Sequence, residues 1–216
     1  MAEIIQFLNT KVELQQTRGV AKTITAISKA SEVSITATHD FSVGDIVVVD
    51  SVVGMSQINR RAGKVKTVST TVSFVLEALD STNWSTYVSG GTVKKVTAFV
   101  SFETLTNFDF PEPQPSPQSV TTIHDVEERE IFGLDSAPTI TMNTHAQPGN
   151  AAIIEVRKAS IAKDDRVMRV TFQDGTIMLL NAKLAGGRGI SGEAGAVGSG
   201  QITVKLRSTE QIFAAA

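Results

Sequence analysis

No cysteine occurs in the 216 residues. That absence removes disulfides, thiolate metal sites and a cysteine nucleophile together, and it leaves the redox compartment undetermined. Charge is sparse and nearly balanced, with 20 Lys and Arg against 22 Asp and Glu, for a formal net of −2. Gripping nucleic-acid phosphates needs a clustered basic surface, so the balance argues against that class. No apolar run approaches the ~20 residues that span a bilayer. The opening MAEIIQFLNTKVELQQ lacks the basic start and unbroken apolar core of a signal peptide. A soluble product, made in the cytoplasm and without a membrane partner, is expected. At this length one domain or two is open, and roughly 70–75% of the unfolded surface can be buried without staples.

What the chain does have is concentrated between Pro148 and Leu184. PGNAAIIEVRKASIAK places Ala152, Ile153, Val156 and Ala159 at spacings of three and four, which predicts one helix with one apolar face. Pro148 and Asn150 are its start signals. VMRVTFQ and TIMLLNAKL follow as two strand-like runs around Asp174-Gly175, a hairpin signal of the type I′ kind, in which both central residues take positive φ. In the second run Ile177 and Leu179 are apolar on one parity and Met178 and Leu180 on the other, so burial from both sides is expected.

Elsewhere the chain reads as short strands. KVELQQ alternates Val12 and Leu14 with Lys11, Glu13 and Gln15. From Lys22 to about Thr97 the composition shifts to Thr, Ser, Val and Gly, with VSITA, IVVVD, KVKTVS, TVSFVLEA and SGGTV between turns. The flanks, KVELQQ before and FVSFETL after, read as one sheet interrupted by an inserted all-β module. PEPQPSPQSV has prolines at 111, 113, 115 and 117, which withhold donors and favour a long extended loop. PTITMN is a strand, AGGRGISGEAGAVGSG a small-residue loop, and QITVKLR a final strand with Ile202, Val204 and Leu206 inward. STEQIFAAA reads as a short apolar tail.

Each chemistry-like constellation has a plainer explanation. Gly187, Gly189 and Gly192 spell a dinucleotide-type pattern, but a strand rather than a helix follows, so a flexible loop is expected. His124 and Asp125 with Glu127, Glu128 and Glu130 lack a second histidine at ligand spacing. There Asp125 is expected to cap a turn, and the glutamates to form a solvated face. His39 and His145 are isolated, and Asp164-Asp165 fits a turn where helix gives way to strand. No serine lies in a G-x-S-x-G elbow, and nucleophile, base and orienter do not converge, so no enzyme, cofactor or metal is expected. Trp84 and Tyr87 either pack the module or form a carbohydrate-binding pair.

The order of parts resembles the tail tube (major tail) proteins of long-tailed bacteriophages. It consists of a strand, a Pro-rich loop, TTIHDVEEREIFGLDSAPTITMN, a helix beginning PGNAAIIE, the hairpin VTFQDGTIMLL, a small-residue loop and a last strand. FSVGDIVVV, VVGMSQINRRAGKV and DSTNWSTYVSGGTV resemble a small β domain often inserted in phage structural proteins, although Arg60-Arg61 stands where a glycine is expected. The resemblance implies a mainly β fold: a tail-tube-type β-sandwich with one α-helix over residues 1–21 and 98–216, interrupted by an all-β decoration domain at 22–97. It implies homo-hexameric rings stacked into a tube in the virion tail, with viral DNA passing through the lumen without specific binding. Tail tip, tail terminator and tape measure proteins are the implied partners. Assembly contacts are expected at Phe108 and Phe110, at the hairpin (Asp174, Gly175, Ile177, Leu179), and at Ile212 and Phe213. A secretion-system tube of the same fold, a carbohydrate- or cell-binding β module and a capsid decoration protein are the other readings.

Overall fold

The computed structural model describes residues 7–112, 114–135 and 138–215, Asp135 by its backbone alone. The N-terminal MAEIIQ, Pro113 of the proline run and Ser136-Ala137 of the DSAPTITMN motif lie outside them. The first half of the chain contributes β1 (Lys11–Arg18), β2 (Lys22–Ile27), β3 (Ser34–Ala37), β4 (Ile46–Val53), β5 (Ala62–Ser69), β6 (Ser73–Leu76) and β7 (Ser89–Ser101). The second contributes β8 (Leu105–Asp109), β9 (Pro115–Ser119), β10 (Glu130–Asp135), β11 (Thr139–His145), α1 (Ala151–Ala162), β12 (Asp165–Thr171), β13 (Ile177–Gly186), β14 (Ser199–Leu206) and β15 (Gln211–Phe213). The protein is thus mainly β with one α-helix among the described residues, as expected. Thirteen strands join one sheet that includes a barrel, in the order β2-β3-β6-β5-β4-β7-β1-β12-β13-β14-β11-β8 with β15 on β13. β9 and β10 form a separate ribbon.

The helix forms where its signals stand. The Asn150 side chain accepts a hydrogen bond from Ala152 N at 2.9 Å, satisfying a free donor of the first turn. At the other end Lys163 takes φ 56° and donates its N–H to Ala159 O. Ala152, Ile153, Val156 and Ala159 are buried in a core with Leu14, Ile140, Met142, Met168, Leu180, Ile202 and Val204. A second core gathers Ile35, Val49, Met55, Ile58, Phe74 and Val93 from β2–β7. His39 belongs there, stacked on Phe41 at 4.9 Å.

A third cluster, smaller, joins the two halves of the chain. Ile46, Val48, Ala62 and Val96 meet Val167, Leu179 and Phe213. This explains the two-sided apolar character of β13: Met178, Leu180, Ala182 and Leu184 face the helix core, while Leu179 faces the strands of the 22–97 stretch. Asn181, on the same parity as Leu179, donates from Nδ2 to Arg60 O at 2.7 Å. Arg60 itself has φ 62°, the left-handed conformation for which a glycine was expected there. Its N–H donates to Val49 O at 2.7 Å, so the conformation is held from both sides of the residue.

Several local expectations need correction. Gln15, expected on an outward face, is fully buried at a bulge between β1 and β7. Its Oε1 accepts from Val167 N at 3.1 Å and from Arg18 Nε at 2.8 Å. Ala185 and Gly186 continue β13 instead of opening a loop, and the apolar tail forms β15 against Ile177–Leu179. The Pro-rich segment is partly strand as well. β9 pairs with β10 in the register Ser119↔Glu130, Gln118↔Ile131 and Pro117↔Phe132. Proline is compatible with such a two-stranded ribbon because an edge strand needs only alternate donors.

Candidate assembly surfaces

The hairpin expected at Asp174-Gly175 is present, with a different turn. Phe172 N donates to Thr176 O at 2.9 Å and Gly175 N to Phe172 O at 3.0 Å. That is a three-residue loop ending in a bulge, and only Gly175 has positive φ, at 86°. Asp174 accepts from Thr176 N (2.9 Å) and Thr176 Oγ1 (2.7 Å), which lowers its carboxyl pKa below the usual value. A Cβ on Gly175 would stand 3.1 Å from that of Ala215, so the turn and the C-terminal segment touch.

The other candidates fall into two groups. Ile177, Leu179, Ile212 and Phe213 come together on the β13–β15 ladder. Within it Leu179 and Phe213 are each 1% exposed and spent inside the subunit. In this conformation they have no surface to give a neighbour. Ile212 points the other way and is 59% exposed. Phe108 and Phe110 lie apart from this ladder, half-buried against the helix core. Phe108 is in β8, which pairs with β11 along one side and closes the sheet order on the other. Beside that edge runs a groove of about 490 Å3 lined by Phe7, Val12, Phe102, Leu105 and Phe108.

One exposed apolar surface was missed by sequence reasoning. The ribbon β9–β10 and its connection expose Ile123, Val126 (100%), Ile131, Phe132 (84%) and Leu134 (89%). Its strands pack chiefly on each other. Gly133 is fixed by that packing, because a Cβ there would come within 2.7 Å of Ser116 O. The tip is a built turn: Asp125 accepts from Thr122 N (2.8 Å) and Thr122 Oγ1 (3.0 Å), and Arg129 lies 3.7 Å from its other oxygen. Those hydrogen bonds hold the Asp125 carboxyl below its ordinary pKa. The findable signal was EIFGL itself, apolar residues with no helical or alternating partner in the segment before it.

The remaining sequence candidates resolve as packing. Trp84 and Tyr87 are half-buried against the second core. The Arg61 guanidinium lies 5.1 Å over the Trp84 ring, and the Tyr87 hydroxyl is within 3.2 Å of Ile24 O and 3.0 Å of Gly90 O. Gly187 is packed on Val156 and Arg157, and a loop then leads to β14. Asp165 starts β12 and pairs with Arg207 at 3.3 Å. Among the described residues no helix is long and apolar enough to cross a membrane.

A mainly β chain with a single helix docked on its sheet and an apolar ribbon left unpacked has the marks of a subunit made to associate. A model of the phage tail tube protein family, TTP, matches residues 53–210. The chain belongs to the phage tail tube protein family. No curated protein matches it. Membership makes this a structural component of a virion tail that self-assembles into a tube. The match begins within β4 and runs to the residue before β15, so it covers both the ribbon and the hairpin.

Proposed function

We propose that this tail tube protein forms hexameric rings that stack into the conduit for genome delivery, and that the ribbon β9–β10 makes the decisive contact between copies. The observation that carries this reading is the ribbon's exposed apolar set, Ile131, Phe132 and Leu134, on strands that pack mainly on each other. Successive strand residues point to opposite faces, so the ribbon leaves apolar side chains uncovered on both, a feature that marks an interaction site. An arm on one copy received elsewhere on the next is a heterologous contact, which closes rings or propagates filaments according to its rotation. The half-buried Phe108 and Phe110 flank the ribbon's base and anchor it to the subunit. Residues 22–97 form an inserted decoration domain on the tube's outer side, with β2–β6 around their own core. Tail tip, terminator and tape measure proteins meet the tube at its ends and within its lumen. The subunit is made in the host cytoplasm before assembly.

The test is negative-stain imaging with sedimentation velocity on the full chain and on a variant in which Glu112–Gln118 is replaced by a short Gly/Ser bridge. Six-fold rings or tubes from the full chain, and folded monomers from the variant, are expected. Discrete monomers from the full chain at all concentrations, or tubes from the variant, would refute the role given to the ribbon.

A further inference from the structure

Charge is unevenly placed on this nearly neutral chain. Lys183 on β13 and Lys205 on β14 are direct cross-strand partners. Like charges so placed repel, and on its other side Lys183 is the cross-strand partner of Asp165 in β12. Lys163, at the end of α1, lines the same cavity of about 310 Å3 together with Ser160, Ala185 and Thr203. The lysines Lys22, Lys64, Lys66, Lys95 and Lys158 each hold a carboxylate. Among the described residues Lys11, Lys29, Lys94, Lys163, Lys183 and Lys205 hold none, and of these Lys163, Lys183 and Lys205 line one cavity. Asp165, opposite Lys183, is engaged with Arg207 at 3.3 Å, and Asp164, beside Lys163 in sequence, lies 3.9 Å from Arg166. The carbonyls at the end of α1 account for Lys163. Asp165 stands opposite Lys183 but is shared with Arg207, and Lys205 has Thr139 as its other cross-strand partner.

The opposite charge is at the ribbon tip. Glu127, Glu128 and Glu130 are exposed, and the one cation among them, Arg129, is turned to Asp125. We infer that the acidic tip of one copy's ribbon docks on the Lys163–Lys183–Lys205 corner of a second copy. The choice of a second copy follows from the self-assembly of the family and from the complementary charge of two surfaces on one chain. Three carboxylates then meet three ammonium groups around a cavity, where partial desolvation strengthens the attraction over that of an exposed pair. The lysines set which copy the ribbon finds, and the apolar strand residues give the contact its area.

This inference rests on the self-association proposed above, and a charge-swap experiment separates the two. Three full-length variants are compared with the parent: Lys183→Glu/Lys205→Glu, Glu127→Lys/Glu128→Lys, and all four substitutions together. Circular dichroism and thermal unfolding establish folding, and sedimentation velocity at 50 and 500 mM NaCl reads assembly. Each two-residue variant is expected to need at least tenfold more protein to assemble, and the fourfold variant to recover most of that loss. Parent assembly is expected to weaken at high salt. If the parent never assembles, the reading of the ribbon as an assembly arm fails. If the parent assembles and the lysine variant does so equally well, or the folded fourfold variant does not recover, the docking fails alone. Binding of a 20-base-pair DNA duplex to the parent, lost on Lys183→Glu/Lys205→Glu with assembly unchanged, would reassign the corner to nucleic-acid phosphate and overturn the proposal.

Discussion

Replacing Phe213 by alanine tests whether the C-terminal strand belongs to the subunit's own core. The ring is 1% exposed, closes the cluster that joins Ile46, Val48 and Ala62 to Leu179, and has the Lys64 amine 5.6 Å from its centre. Truncating a buried phenylalanine costs roughly 3–5 kcal/mol, less where the site can collapse. A three-residue strand near the chain end collapses easily, and the lysine is shared with Glu77 at 2.9 Å, so the low end applies, about 3 kcal/mol. For a chain of this size that is a fall in melting temperature of about 6–12 °C. The assay is calorimetric or dichroic unfolding of the unassembled subunit, with Ile212→Ala as control. Ile212 is one residue away and mostly exposed, so its truncation should stay within ~0.5 kcal/mol. If Phe213→Ala left the unassembled subunit's transition unmoved and affected assembly alone, the residue would be an interface anchor and the packing argument would be wrong.

Three further perturbations have defined outcomes. Gly175→Val forces a β-branched residue into φ 86° against Ala215, and should cost about 1–3 kcal/mol and loosen the β12–β13 turn; unchanged thermal unfolding would contradict the turn. Gly133→Ala places a methyl 2.7 Å from Ser116 O, so it should part the ribbon strands and impair assembly while the subunit's melting temperature stays within 1–2 °C, as a light-scattering and calorimetry pair would show. Amide exchange across the β9–β10 ladder should be faster than across β12–β13 in the free subunit and should slow in assembled tubes, whereas equal protection of the ribbon in both states would show that assembly leaves it uncovered.

The helix was legible because its signals are local: an Asn cap, and apolar residues at spacings of three and four on a surface that must find a sheet. β14 was legible for the same reason, with strict alternation of Ile202, Val204 and Leu206. The turn at Asp174-Gly175 was placed correctly but mistyped, since one glycine in the left-handed region satisfies both a two-residue turn and a three-residue turn with a bulge. What covers the second apolar parity of β13 was not legible. Leu179 reads the same whether its partner is a neighbouring subunit or Ile46 and Val48, more than a hundred positions earlier in the chain. The ribbon escaped because its prolines argue against a central strand, and nothing local says that a two-stranded arm asks less of them. Of the assembly candidates, Ile212 stays available on the surface, whereas Leu179 and Phe213 were chosen for a hydrophobicity that the subunit itself consumes.

β7 is a single unbroken strand of thirteen residues. Its first half is hydrogen-bonded to β4 and its second to β1, so one covalent segment is clamped into both parts of the molecule. A pull on the β2–β6 side along that axis loads the β1 ladder in shear, with several hydrogen bonds resisting together. A pull at right angles would unzip them one after another. The joint between the two parts is therefore stiff along one direction and weak across it. Force acting on the β2–β6 side is thus transmitted to the sheet of the second half as a directed strain.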